Sequence, residues 1–157
     1  MDFERGIWQT SLDGDVNRVR KLLHKGRDPN SRDGSGYTAL EDYASRSSHG
    51  EVCQLLLEQG ADVNAQKRSG KVSLVHRAAY SGHMSVVNLF IKYGADPRLC
   101  DSDGQIPLHK VTMKLMLKKL RKGVLRLLVK LDSSLVKVKD NNGRYLLTWY
   151  PRKNLPC

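Results

Sequence analysis

The sequence predicts an all-α solenoid: helix-turn-helix units stacked in a row, with an extended finger between one unit and the next. Three observations predict it. Gly26, Gly60 and Gly94 recur at intervals of 34, as do Gly36, Gly70 and Gly104, and His49 and His83 keep the same interval. Just before each glycine of the first set, apolar residues fall at helical spacing: Val19, Leu22 and Leu23, then Val52, Leu55 and Leu56, then Val86, Val87, Phe90 and Ile91. Ahead of each such helix runs a shorter stretch with paired small residues, Thr10–Ser11, Ala44–Ser45 and Ala78–Ala79. Small side chains let helices approach closely, and a period of this length marks units that bury their apolar faces only against neighbours.

The units follow in order. The first covers residues 4–32, the second 33–66, the third 67–100 and the fourth 101–139, with a capping stub over 140–150. Residues 1–150 thus read as a single domain and 151–157 as a loose tail. Within a unit, a short inner helix leads through a turn to a longer outer helix. The outer helix stops at a glycine, where a left-handed backbone costs little, and a polar finger follows.

At these positions the sequence resembles the ankyrin repeat family. The family's opening Thr-Pro-Leu-His-x-Ala-Ala survives as "IPLHKVT" at Ile106 to Thr112, "SLVHRAA" at Ser73 to Ala79 and "TALEDYAS" at Thr38 to Ser45. Its Gly-Ala-Asp-Val-Asn-Ala ending is complete at Gly60 to Ala65 and partial at Gly94 to Asp96. The resemblance covers residues 4–110 well and 123–148 loosely. It implies an ankyrin-repeat solenoid of about four repeats with β-turn fingers and a divergent C-terminal cap.

Departures from that pattern carry their own expectations. The family's period is about 33 residues, and here it is 34. The extra residue is expected near Glu41–Asp42 in the second unit and near Lys71–Val72 in the third. Glu41 or Asp42 stands where the family has histidine, which predicts a lost turn-tying hydrogen bond and a looser second unit. In the fourth unit the turn is expected late, at Gly123. There Met113, Met116, Leu117, Leu120, Val124, Leu127, Leu128 and Leu131 form an apolar stripe, with Lys114, Lys118, Arg121, Lys122, Arg126 and Lys130 opposite. Three readings fit: an inner helix, a kink or turn at Gly123 and a second helix closing the stack; a basic amphipathic helix that binds elsewhere; or an irregular, poorly ordered end. Asp140 to Gly143 reads as one more finger, and Trp149 and Tyr150 as part of the cap.

Catalytic chemistry is expected to be absent. "SGKVS" lacks the first glycine of a phosphate loop, since Ala65 stands in its place. His76 and His109 fall in the family's turn slot, and His49 and His83 in its inter-helix slot, which predicts structural roles rather than metal ligation. Cys53, Cys100 and Cys157 show no paired spacing, consistent with reduced thiols and no disulfide framework. No cofactor and no metal are expected. "MDFERGIWQT" does not read as a signal peptide, and "GVLRLLVKL", broken by Arg126 and Lys130, falls short of the ~20 residues of a membrane span. The chain is therefore expected to be intracellular, cytoplasmic or nuclear, and monomeric.

The net charge of +11 is uneven: +2 over residues 1–32, −5 over 33–66, +5 over 67–100 and +9 over 101–157. The resemblance implies a non-enzymatic scaffold gripping a protein partner on a concave surface of finger tips and inner helices. Carried onto this sequence, the finger positions are Ser35, Tyr37, Arg68, Ser69, Lys71, Ser102, Asp103 and Gln105, and the helix positions Arg46, Ser47, Tyr80 and Ser81. The alternative is an electrostatic binder of an acidic partner, nucleic acid, an anionic membrane or calmodulin through the basic segment 110–131.

Overall fold

A computed structural model describes residues 6–46, 50–113 and 120–145. Among them are eight α-helices: α1 (Ile7–Leu12), α2 (Val16–His24), α3 (Ala39–Arg46), α4 (Gly50–Glu58), α5 (Leu74–Ser81), α6 (Met84–Lys92), α7 (Pro107–Met113) and α8 (Leu120–Leu131). A 3-10 helix, Ser133–Lys137, follows. The inner helices α1, α3, α5 and α7 pack one on the next, and the outer helices α2, α4, α6 and α8 do the same. The described residues thus form an all-α solenoid, its core a continuous band running the length of the stack through Val19, Leu40, Leu56, Leu74, Phe90, Leu108 and Leu128. The tail at 151–157, Trp149 and Tyr150 lie outside the described residues.

The 34-residue glycine period has a local cause. Gly26, Gly60 and Gly94 all adopt positive φ, at 81°, 87° and 85°. Each lets the following amide reach back to the outer helix: Arg27 to Leu22 at 3.2 Å, Ala61 to Leu56 at 3.0 Å and Ala95 to Phe90 at 2.9 Å. These bonds occupy carbonyls that a helix end leaves bare. Asparagines then stitch the turns together. Asn30 Nδ2 donates to Gly60 O at 2.9 Å while its Oδ1 accepts from the Asp62 amide at 2.7 Å. Asn64 repeats both contacts one unit on, at Gly94 O and the Asp96 amide. At the third position Arg98 takes over, bonding Asp132 and Ser134 beside the 3-10 helix.

The turn-tying hydrogen bond expected to be lost in the second unit is present. Glu41 Oε2 accepts from the Thr38 amide at 2.8 Å, and the Glu41 amide donates to Thr38 Oγ1 at 3.2 Å. Thr38-x-x-Glu41 is therefore a reciprocal capping box, in which a carboxylate does what histidine does elsewhere. Glu41 is fully buried and pairs with Arg32 Nη1 at 3.2 Å. No residue is inserted at Glu41–Asp42, because Glu41 stands three past Thr38 just as His76 stands three past Ser73. By the same count the extra residue falls after Glu41 and before Gly50, where α4 starts. In the third unit the insertion is where the sequence places it: the finger closes with Lys67 N to Val72 O, and Lys71 takes a φ of 49°.

Ser73 and His76 form the corresponding box in α5. The His76 ring reaches Gln105 O through Nε2 at 2.7 Å and Ser73 Oγ through Nδ1 at 2.7 Å. A carbonyl can only accept, so Nε2 carries the proton, and the Ser73 amide donates to Nδ1 at 3.3 Å, so Nδ1 is unprotonated and the ring is neutral. Burial lowers the His76 pKa from 6.5, against the upward pull of Gln105 O, and burial likewise lowers those of His109 and His83. The unfolded chain thus binds more protons than the folded one once the pH drops below about 6.5. Stability should be complete above that value and fall progressively beneath it, with Asp101, Asp132 and Asp140 adding their losses as pH falls below 3.8. Urea midpoints between pH 8 and pH 4 check this, and a profile flat down to pH 4.5 would contradict it.

Gly123 corrects a second expectation. It is not a turn but an interior residue of α8. A side chain there would place its Cβ 2.9 Å from Met84 Sδ of α6, so the glycine marks a close approach between outer helices. Its neighbours Val124, Leu125 and Leu128 are buried, whereas Leu131 is exposed. The buried stripe therefore includes Leu125, which the spacing does not place in it. Lys122, Arg126 and Lys130 are exposed, as expected. The finger at Asp140 to Gly143 is present, closed by the Asp140 amide on Arg144 O at 3.0 Å.

Candidate interaction surface

The fingers are built from aspartates that cap their own turns. Asp33 Oδ1 accepts from the Ser35 and Tyr37 amides, Asp101 Oδ1 from Asp103 and Gln105, and Asp140 Oδ1 from Asn142 and Arg144. Asp101 is additionally held by Lys110 Nζ at 2.6 Å. Desolvation pushes its pKa up, but the Lys110 contact and the capping amides outweigh it and hold the carboxyl below 3.8. Asp140 behaves likewise: desolvation is overcome by the Arg144 amide and guanidinium, and its pKa falls to about 2. The second finger breaks this pattern. Lys67 occupies the place of Asp33 and Asp101 in the 34-residue register, and its side chain leaves the turn.

Lys67 Nζ instead donates to the Tyr37 hydroxyl at 2.7 Å and lies 3.9 Å from the centre of that ring. The Arg77 guanidinium sits over the same ring at 4.7 Å. Two cations thus lean on one tyrosine, and the hydrogen bonds from Lys67 and then Arg77 lower its pKa below 10. Among the described residues no carboxylate pairs with either cation, and Arg77 Nε has no acceptor. Beside Arg77 opens a cleft of about 390 Å³ lined by Val72, His76, Arg77, Tyr80, Ser81 and Lys110. Its walls come from the second finger, α5 and α7. A larger depression, about 660 Å³, runs along α2 between Asp15 and Lys25. It is lined by that helix and its flanks alone, so it is the surface of one exposed helix rather than a site between elements.

The residues singled out from sequence are dispersed over this surface. Ser35, Arg68, Ser69, Lys71, Ser102 and Asp103 are exposed on finger tips. Tyr37 is half-buried under its two cations, Tyr80 is 42% exposed, and Tyr80 and Ser81 both line the cleft. Gln105 is a correction. It is 5% exposed, its Oε1 accepts from Lys110 Nζ at 2.7 Å and its carbonyl serves His76, so it builds the surface without presenting a side chain. Arg46 ends α3, its side chain outside the described residues, as is Ser47 altogether.

Lys67, Val72, Arg77 and Lys110 were missed. Two signals point to them: Lys67 departs from the aspartate register, and Arg77 and Lys110 each follow the turn histidine directly. Cys53 is buried in α4, and burial raises its thiol pKa to about 12; Cys100 is exposed in a finger. Among the described residues no group of His, Cys, Asp or Glu is placed to hold a metal ion. None of their helices is long and apolar enough to cross a membrane.

A family model for ankyrin repeats in many copies matches residues 41–91 and 75–129, together more than half of the chain. Ankyrin repeat domain-containing protein 39 of Homo sapiens is 57% identical over 56 residues, a match covering 36% of this chain and 30% of that protein. Its counterpart in Bos taurus is 57% identical over 49 residues, covering 31% and 26%. The matched stretch is thus less than a third of the length of these relatives.

Proposed function

The chain belongs to the ankyrin repeat family, and on that premise we propose that it is a non-enzymatic scaffold binding a protein partner on the concave finger and inner-helix face. Ankyrin repeats generally serve as protein-interaction modules. One observation supports this reading most: Arg77 and Tyr80 of an inner helix line a single open cleft, and Arg77 lies over the ring of Tyr37 from a finger. Tyrosine and arginine are the side-chain types that dominate interface energetics. The scaffold acts as an intracellular monomer in cytoplasm or nucleus.

Alanine at Tyr37, Arg68 and Tyr80 together should abolish capture of the partner proteins that the wild-type chain retains from cell extract. Circular dichroism and thermal melting would establish that the variant is folded. Unchanged capture by a folded variant would refute the assignment of the groove.

The alternative, a basic amphipathic helix in segment 110–131, fits less well. Val124, Leu125 and Leu128 are already buried in the stack, and Lys110 is spent on Asp101 and Gln105. The apolar face that a groove-binding helix would offer is thus in use over the described residues 124–128. Binding of nucleic acid or anionic vesicles that falls steeply with salt would favour this alternative.

A further inference from the structure

We propose that the partner is an extended acidic segment, whose carboxylates meet Lys67 and Arg77 while an adjacent apolar side chain enters the cleft between Val72 and Tyr80. The inference rests on the scaffold reading and gives its partner a chemistry.

Charge complementarity carries it. Residues 67–81, the second finger and α5, hold Lys67, Arg68, Lys71 and Arg77 and no carboxylate. The fingers on either side carry aspartates, but Asp33 is spent on its own turn and Asp101 on Lys110. Only Asp103 projects, at the tip of the third finger. The second finger and α5 therefore form a positive centre flanked by Asp33, Asp101 and Asp103, of which Asp101 is paired with Lys110, and the replacement of a capping aspartate by Lys67 puts the cation there. A solvated lysine would normally extend into water. This one is held 2.7 Å from the Tyr37 hydroxyl, and the Arg77 guanidinium lies 4.7 Å from the centre of the same ring. Both cations are thus pre-positioned, so less side-chain entropy remains to be lost when a carboxylate arrives. Arg77 can grip a carboxylate through two parallel hydrogen bonds. Tyr80, exposed on the next turn of α5, and Val72 give the cleft an apolar wall beside that cation. Acidic and apolar side chains must then lie close together in the ligand, and an extended strand places them so, at successive or alternate positions.

The test is selection of random twelve-residue peptides displayed on phage against the full 157-residue chain, followed by fluorescence polarisation with a synthetic consensus peptide. The expected consensus holds two or more Asp or Glu next to a Leu, Ile or Phe. Its affinity should fall about tenfold or more in Arg77→Glu and in Lys67→Glu, and on changing its acids to amides. It should also weaken with salt. Lys122→Glu, exposed on α8, is the control of equal charge change and should leave binding intact. A neutral consensus lost in Tyr80→Ala but indifferent to both charge reversals would overturn the inference and leave the scaffold reading standing. Recovery of no enriched peptide would overturn it as well. So would displacement of the peptide by an oligonucleotide of matching charge at equal concentration, since the site would then read charge alone.

Discussion

Replacing Glu41 by alanine lowers the stability of the solenoid by about 2–3 kcal/mol. The carboxylate lies fully buried at the start of α3, where Oε2 accepts both the Thr38 amide and Arg32 Nη1. Alanine leaves the Thr38 amide buried without an acceptor and removes one half of a reciprocal cap. Arg32 loses less, because Nη1 still reaches Gly36 O and Nη2 reaches Gln66 O. Glu41→Gln keeps an oxygen for the amide, surrenders the charge opposite Arg32, and should cost about 1 kcal/mol. Urea unfolding of both variants measures the difference. An alanine variant within about 0.5 kcal/mol of wild type would mean that the second unit does not depend on this cap.

Gly104→Ala should be comparably severe, at about 3 kcal/mol, for two reasons that add. The residue has a φ of +71°, where a side chain is strained. A Cβ there would also overlap Asn141 Oδ1 and lie 2.8 Å from the Asn141 amide. That amide donates to Asp103 O at 2.9 Å, and Asn141 Nδ2 donates to Ser102 O at 3.0 Å. The methyl group would therefore pry the last described finger from the one before it. Gly36→Ala separates the two causes, since Gly36 has a φ of +80° and nothing within 4 Å of its would-be Cβ. It should cost only the conformational part, about 1 kcal/mol. Equal losses in the two variants would show that contact with Asn141 contributes nothing. Faster hydrogen exchange over residues 140–145 in Gly104→Ala alone would locate the damage.

By itself the sequence determined the periodic part of this protein. Glycines at positive φ, apolar residues at helical steps and small residues on the inner helices are local requirements repeated in every unit, and a repeated local requirement leaves a repeated letter. Hence the helix pairs, the finger at Asp140–Gly143 and the insertion at Lys71 could be read directly. Tertiary structure alone decided where one residue type does another's work. Glu41 looked like a lost histidine although Thr38-x-x-Glu41 already spells a capping box in the sequence; what the fold added is the burial of its carboxylate against Arg32. Gly123 looked like a turn because glycine before an apolar run usually is one. Whether it ends a helix or admits Met84 depends on a neighbour one unit away in sequence. Gln105 counted as a finger-tip residue until Lys110 and His76 folded onto it. The cationic centre was half legible: Lys67 broke the aspartate register, but only the Tyr37 ring, receiving Lys67 from one finger and Arg77 from an inner helix, shows that the two charges are held side by side.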